Sequence, residues 1–169
     1  MRTARALGAL VGCGTVLVLL AGCADDSGPQ AVAVPETSAT ETATAAEDAV
    51  LAAYNDMWAT VVDASHAGDT APPDLERYAT GGALELMHQA LAGVGAEGGQ
   101  MSGEPVLDPV VTEVEQGVAR ITDCVDDSGW SAAGTAGQGG AGRLVEAGVS
   151  HDGLVWRVSE LRIWEPGTC

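Results

Sequence analysis

Arg143-Leu144-Val145-Glu146-Ala147-Gly148-Val149-Ser150, then His151-Asp152-Gly153, then Leu154-Val155-Trp156-Arg157-Val158-Ser159-Glu160-Leu161-Arg162-Ile163-Trp164, is the stretch that decides the fold. Asp-Gly favours a tight hairpin turn, so the stretch predicts two antiparallel strands, 143–150 and 154–164. Leu154, Trp156 and Val158 share one face of the second strand. Beyond Ser159-Glu160 the apolar parity moves to Leu161 and Ile163, and such a phase change predicts a bulge and a bent sheet. Upstream, 106–114 and 118–125 are β-branched runs separated by Glu115-Gln116-Gly117, a second hairpin signal. Between the pairs, 129–142 holds six glycines and lacks the Gly-Lys-Ser/Thr ending of a phosphate loop. It reads as a hairpin loop.

The preceding part reads as helix. Thr44-Ala45-Ala46-Glu47 fits a capping box. Val50, Leu51, Tyr54, Met57, Trp58, Val61 and Val62 then recur on one helical stripe, ending near His66 with Gly68 as terminator. Pro72-Pro73 can start a short second helix through Leu75 and Tyr78. Leu84, Met87, Leu91 and Val94 mark a third, with Gly93 and Gly95 expected to stop it. Helices followed by a bent antiparallel sheet give an α+β domain, placed at 46–169.

Before this domain, 24–45 is rich in Ala, Thr, Ser, Pro and acidic residues and almost free of large apolar ones. It reads as part of a disordered tether, 23–45. The chain opens with Arg2 and Arg5, an apolar run and Leu20-Ala21-Gly22-Cys23. That order has the anatomy of a secretory signal, 1–22. The four residues at its end resemble the lipobox of bacterial lipoproteins. The resemblance implies cleavage before Cys23, diacylglycerol on its sulfur and an anchor on the extracytoplasmic face of the cell membrane. The rival, an uncleaved span, is opposed by Gly8, Gly12, Gly14 and Gly22 in a run at the lower limit of length.

Cys13 leaves with such a signal and Cys23 is taken by lipid, so Cys124 and Cys169 remain. In an exported domain they are expected to form a disulfide; two free thiols are the alternative. Neither has a second cysteine or histidine at zinc-ligand spacing, and no metal or cofactor is expected. The chain contains no lysine. From Cys23 onward five arginines face 24 acidic residues, a formal charge of −19. Nucleic-acid binding and attraction to anionic lipid are therefore not expected. Abundant alanine and glycine with no phenylalanine suggest a high-GC bacterium.

The long first helix, Arg77-Tyr78-Ala79-Thr80-Gly81 with Ala83-Leu84, Asp123-Cys124-Val125-Asp126, and Asp152-Gly153-Leu154-Val155-Trp156-Arg157-Val158 with terminal Cys169 resemble uncharacterised actinobacterial secreted proteins. Those are similar to the cone-shaped fold of nuclear transport factor 2 and the polyketide cyclase SnoaL. The resemblance implies a curved sheet wrapped around the first helix, with a concave pocket. The early short strand usual in that fold has no counterpart in the sequence pattern.

No constellation announces chemistry. His66 lies at a helix end, His88 beside an apolar stripe and His151 at a turn, each with a structural explanation. Asp123, Asp126 and Asp127 could bind Ca²⁺ but lack the Asp-x-Asp-x-Asp-Gly order, and read as a solvated strand end beside a disulfide. Tyr54, Trp58, Trp156 and Trp164 are the candidates for lining a pocket, and no catalytic residue is assigned. The expected role is a lipid-anchored envelope domain, not an enzyme, that binds a protein partner or small ligand. The alternatives are a small-molecule isomerase or hydrolase working in the cone, and an accessory subunit of an envelope transport or cell-wall complex.

Overall fold

The computed structural model describes residues 37–96, 99–132 and 141–169. The expected signal peptide, Cys23 and the tether up to residue 36 lie outside the described residues. The described chain is mixed α+β: two α-helices packed on an antiparallel sheet. Among the described residues no helix is long and apolar enough to cross a membrane.

Helix α1 spans Thr37–Ala67. It begins earlier than the expected capping box, so Thr44 sits inside the helix and residues 37–45 of the expected tether are helical. The cause is local: no proline or glycine occurs between Pro35 and Gly68, and Ala39, Glu41, Ala43, Ala45 and Ala46 are strong helix formers. At the other end Gly68 adopts φ +70°, and the Asp69 amide donates to the Ala64 carbonyl at 2.9 Å. This is a Schellman ending, with Gly68 free to take the left-handed turn. Val50, Tyr54, Met57, Trp58, Val61 and Val62 of the expected stripe are buried; Leu51 is only half-buried.

A 3₁₀ turn, Pro73–Arg77, buries Leu75. Helix α2, Gly81–Ala96, buries Ala83, Met87 and Leu91. It runs through Gly93 and Gly95 instead of stopping at them. Gly95 has a packing reason: a Cβ there would come within 2.6 Å of Thr70 Cγ2.

Strands β2 (Val110–Glu115), β3 (Val118–Val125), β5 (Arg143–His151) and β6 (Trp156–Ile163) form the main sheet in the order β2-β3-β5-β6, antiparallel throughout. The β2–β3 turn is Gln116-Gly117, with φ of 29° and 88°, the left-handed pair a two-residue hairpin needs. The phase change in β6 is a real bulge: Gly148 pairs with Glu160 and Val149 with Val158, leaving Ser159 extra. Val158 and Leu161 thereby both face the core, against Val149 and Ala147. A second bulge at Thr112 does the same for Val111 and Val114. Val106 is not part of β2 but makes an isolated bridge to Asp126.

Two further strands escape the sequence pattern because each has two residues. β1 (Met101–Ser102) pairs with β4 (Ser131–Ala132) as a separate small sheet. The start of the expected 129–142 loop is thus ordered structure. Trp130 packs edge-on to Trp58 at 6.2 Å, and its Nε1 donates to Ser65 Oγ at 3.2 Å. His66 at the end of α1 bonds the Gly103 carbonyl through Nε2 at 2.7 Å.

Cys124 and Cys169 form a disulfide with Cα atoms 6.0 Å apart. It lies beside Gly142, and the tail is also held by Gly167 N–H to Gly142 O at 2.9 Å and Leu144 N–H to Thr168 Oγ1 at 2.9 Å.

Candidate functional site

The β5–β6 turn builds one wall of the site. One oxygen of Asp152 accepts the amides of Leu154 and Val155 at 2.9 and 3.0 Å; the other accepts Arg157 Nη1 at 2.7 Å. The two amides, helped by Arg157, hold the Asp152 carboxyl below the usual range. Gly153 takes φ +100°, and its amide donates to His151 Nδ1 at 3.1 Å, so the neutral ring carries its proton on Nε2. This turn chemistry fixes the backbone and presents Leu154 outward, 87% exposed, with Val155 43% exposed beside it.

The second wall comes from residues 77–80. Thr80 N–H donates to Val158 O, and Val158 N–H donates to Tyr78 O, both at 2.8 Å. This pairing covers the free edge of β6 and sets Arg77 and Tyr78 next to Trp156 and Arg157. The floor is α1, where Ala49, Ala52, Ala53 and Asp56 follow helical spacing and leave room that larger side chains would fill.

These segments line an open cleft of about 590 Å³. Its apolar lining is Leu154, Val155, Trp156 and the α1 alanines; its polar groups are Asp56, Arg77, Tyr78, His151 and Arg157. The His151 ring meets Trp156 edge-on at 5.0 Å. Arg77 pairs with Asp74 at 3.5 Å with both side chains largely exposed, an ion pair worth little.

A second polar feature lies in the core. Asp123, expected at a solvated strand end, is 1% exposed. Alternation along β3 sends Ala119, Ile121, Asp123 and Val125 inward together. Tyr54, 0% exposed, donates to Asp123 Oδ2 at 2.8 Å, and the Asp108 amide donates to Oδ1 at 2.7 Å. Burial pushes the Asp123 carboxyl up; burial and then the nearby carboxylate push the Tyr54 hydroxyl far up. Asp126 and Asp127 do not join it. Asp126 caps the Ser128 amide at 2.9 Å, and Asp127 pairs with Arg143 at 2.7 Å. Among the described residues no group of three or more His, Cys, Asp or Glu is placed to hold a metal ion.

Of the four aromatics singled out in the sequence, Trp156 lines the cleft. Tyr54 is sealed in the core, and Trp58, 5% exposed, edges a smaller recess of about 200 Å³. Trp164 is on the opposite face of the sheet, where its Nε1 donates to Glu146 at 3.1 Å and the Arg162 guanidinium stacks 3.5 Å from its ring. His151 is in the cleft, whereas His66 and His88 are not among its lining residues. The alanine stripe, Arg77 and the exposed Leu154-Val155 pair were missed by sequence reasoning. The 49-52-53-56 spacing was the available signal.

No family of known proteins, no curated protein and no solved structure matches this chain.

Proposed function

We propose that the chain is a lipid-anchored domain on the extracytoplasmic face of the cell membrane, with an NTF2-like cone that starts with α1, and that it binds a small ligand in the cleft beside Trp156. Leu154 carries the reading. Leu154, 87% exposed, and Val155, 43% exposed, stand side by side beside Trp156 on a turn held by Asp152, and a contiguous exposed apolar patch at the mouth of a cleft supports ligand binding. The volume of about 590 Å³ suits a small molecule. The anchor rests on Leu20-Ala21-Gly22-Cys23 and the cone on helices laid over one face of a twice-bulged antiparallel sheet.

Binding is favoured over catalysis because the buried polar pair, Tyr54 and Asp123, is not among the residues lining the cleft. A group that no substrate reaches performs no acid–base step. The test is complementation of a deletion strain by Leu154→Asn, with abundance measured in parallel. The expected result is lost function at normal abundance, and full function would overturn the reading. In the same strain Cys23→Ser should lose incorporation of a fatty-acid probe; unchanged labelling would remove the anchor.

A further inference from the structure

We infer that the ligand of this cleft is an amphipathic anion, an apolar chain ending in a carboxylate, with Arg77 as the group that meets its head. The inference rests on the ligand-cleft reading above and adds the charge of the ligand.

The chain carries a net charge of −17, and only five arginines lie in it beyond residue 23. Two of the five, Arg77 and Arg157, line this one cleft. Their situations differ. Arg157 is committed to Asp152 at 2.7 Å, a carboxylate that also organises the turn. Its Nε is buried and without a hydrogen-bond partner among the described residues, so its positive charge is only partly answered. Arg77 has a long contact to an exposed Asp74 and lies 5.8 Å from the centre of the Tyr78 ring. It can exchange that weak pair for a ligand carboxylate, the planar acceptor a guanidinium fits best. Among the described residues, Asp56, on the α1 side, is the one carboxylate lining the cleft. The apolar chain then lies on Leu154, Val155 and Trp156, whose exposed surface loses water on binding.

The test uses three compounds with the same tail. The lipidated protein from Cys23 onward in nanodiscs, with empty discs as reference, is titrated with octanoate, octanamide and octylammonium. The shift of the Trp156 indole resonance is the readout. The field of the lipidated chain, at −19 from Cys23 onward, attracts the cation, so a preference for the anion has to come from groups lining the cleft, and Arg77→Gln tests whether Arg77 is the one. Octanoate is expected to bind about tenfold tighter than octanamide, with octylammonium weakest. Arg77→Gln should bring octanoate level with octanamide, and Leu154→Asn should weaken all three. Both side chains are largely exposed, so these variants keep the fold. Equal or tighter binding of octylammonium, or an anion preference untouched by Arg77→Gln, would overturn the inference while leaving the ligand cleft standing. If none of the three shifts Trp156, or Leu154→Asn changes nothing, the cleft reading falls with it.

Discussion

Tyr54→Phe removes one oxygen atom from the centre of the domain, and its effect follows from what that atom does. The hydroxyl donates to Asp123 Oδ2 at 2.8 Å, where both residues are at most 1% exposed. Without it the carboxylate keeps the Asp108 amide at 2.7 Å and loses its hydroxyl donor. A lost hydrogen bond to a buried charged acceptor costs about 2 kcal/mol at neutral pH. For a domain of this size the melting temperature should fall by about 6–10 °C. The cost depends on pH. Burial already raises the Asp123 carboxyl above its ordinary value in the folded chain. Between the unfolded and folded values the folded chain holds a proton that the unfolded chain has released. Stability from this group therefore falls as pH rises through that interval and is recovered below it. Tyr54→Phe removes a donor that favours the charged form, so it should hurt more at pH 7 than at pH 4. Asp123→Asn removes the charge and keeps the shape, and should cost no more than about 1 kcal/mol and abolish this pH dependence. Urea denaturation followed by circular dichroism at both pH values measures all three. Equal stability of Tyr54→Phe and wild type at pH 7, or a larger loss at pH 4, would refute the reasoning.

Other consequences are as direct. Cys169→Ser opens a loop with a sequence separation of 45 residues and should lower stability by up to about 4 kcal/mol, read by the same denaturation assay. Thiol titration of the denatured domain produced without Cys23 should find no free thiol, and two per chain would remove the bridge. Gly103→Ala should cost at least about 1 kcal/mol, because Gly103 has φ +75° and an added Cβ would overlap the Gly129 carbonyl. Trp58→Ala should cost about 3–5 kcal/mol, since the ring is 5% exposed between Tyr54 and Trp130; an unchanged melting temperature would contradict that packing.

What was legible in the sequence was local. The Ser159 bulge could be read because parity changes within one strand, and the Asp152-Gly153 turn because its chemistry is contained in four residues. The stripe from Val50 to Val62 obeys one period, so its buried face followed. The start of α1 at Thr37 was obscured by a composition that suits a tether and a helix equally. Asp123 misled because its neighbours Asp126 and Asp127 suggested solvent, whereas strand alternation sends it inward to a partner 69 residues upstream. Of the cleft, Trp156 was legible as a pocket-lining candidate and the way its walls assemble was not, for the same reason. Its walls come from α1, residues 77–78 and the β5–β6 turn, and no local pattern states that these meet.

The central claim is that a small ligand occupies the cleft beside Trp156. Its most direct test is mass spectrometry of small molecules released by denaturing the protein isolated from the envelope of its own cells. Wild type should release an amphipathic compound approaching one per chain, and Leu154→Asn, isolated at the same yield, should release far less. Wild type that releases nothing, or equal release from both proteins, would contradict the account.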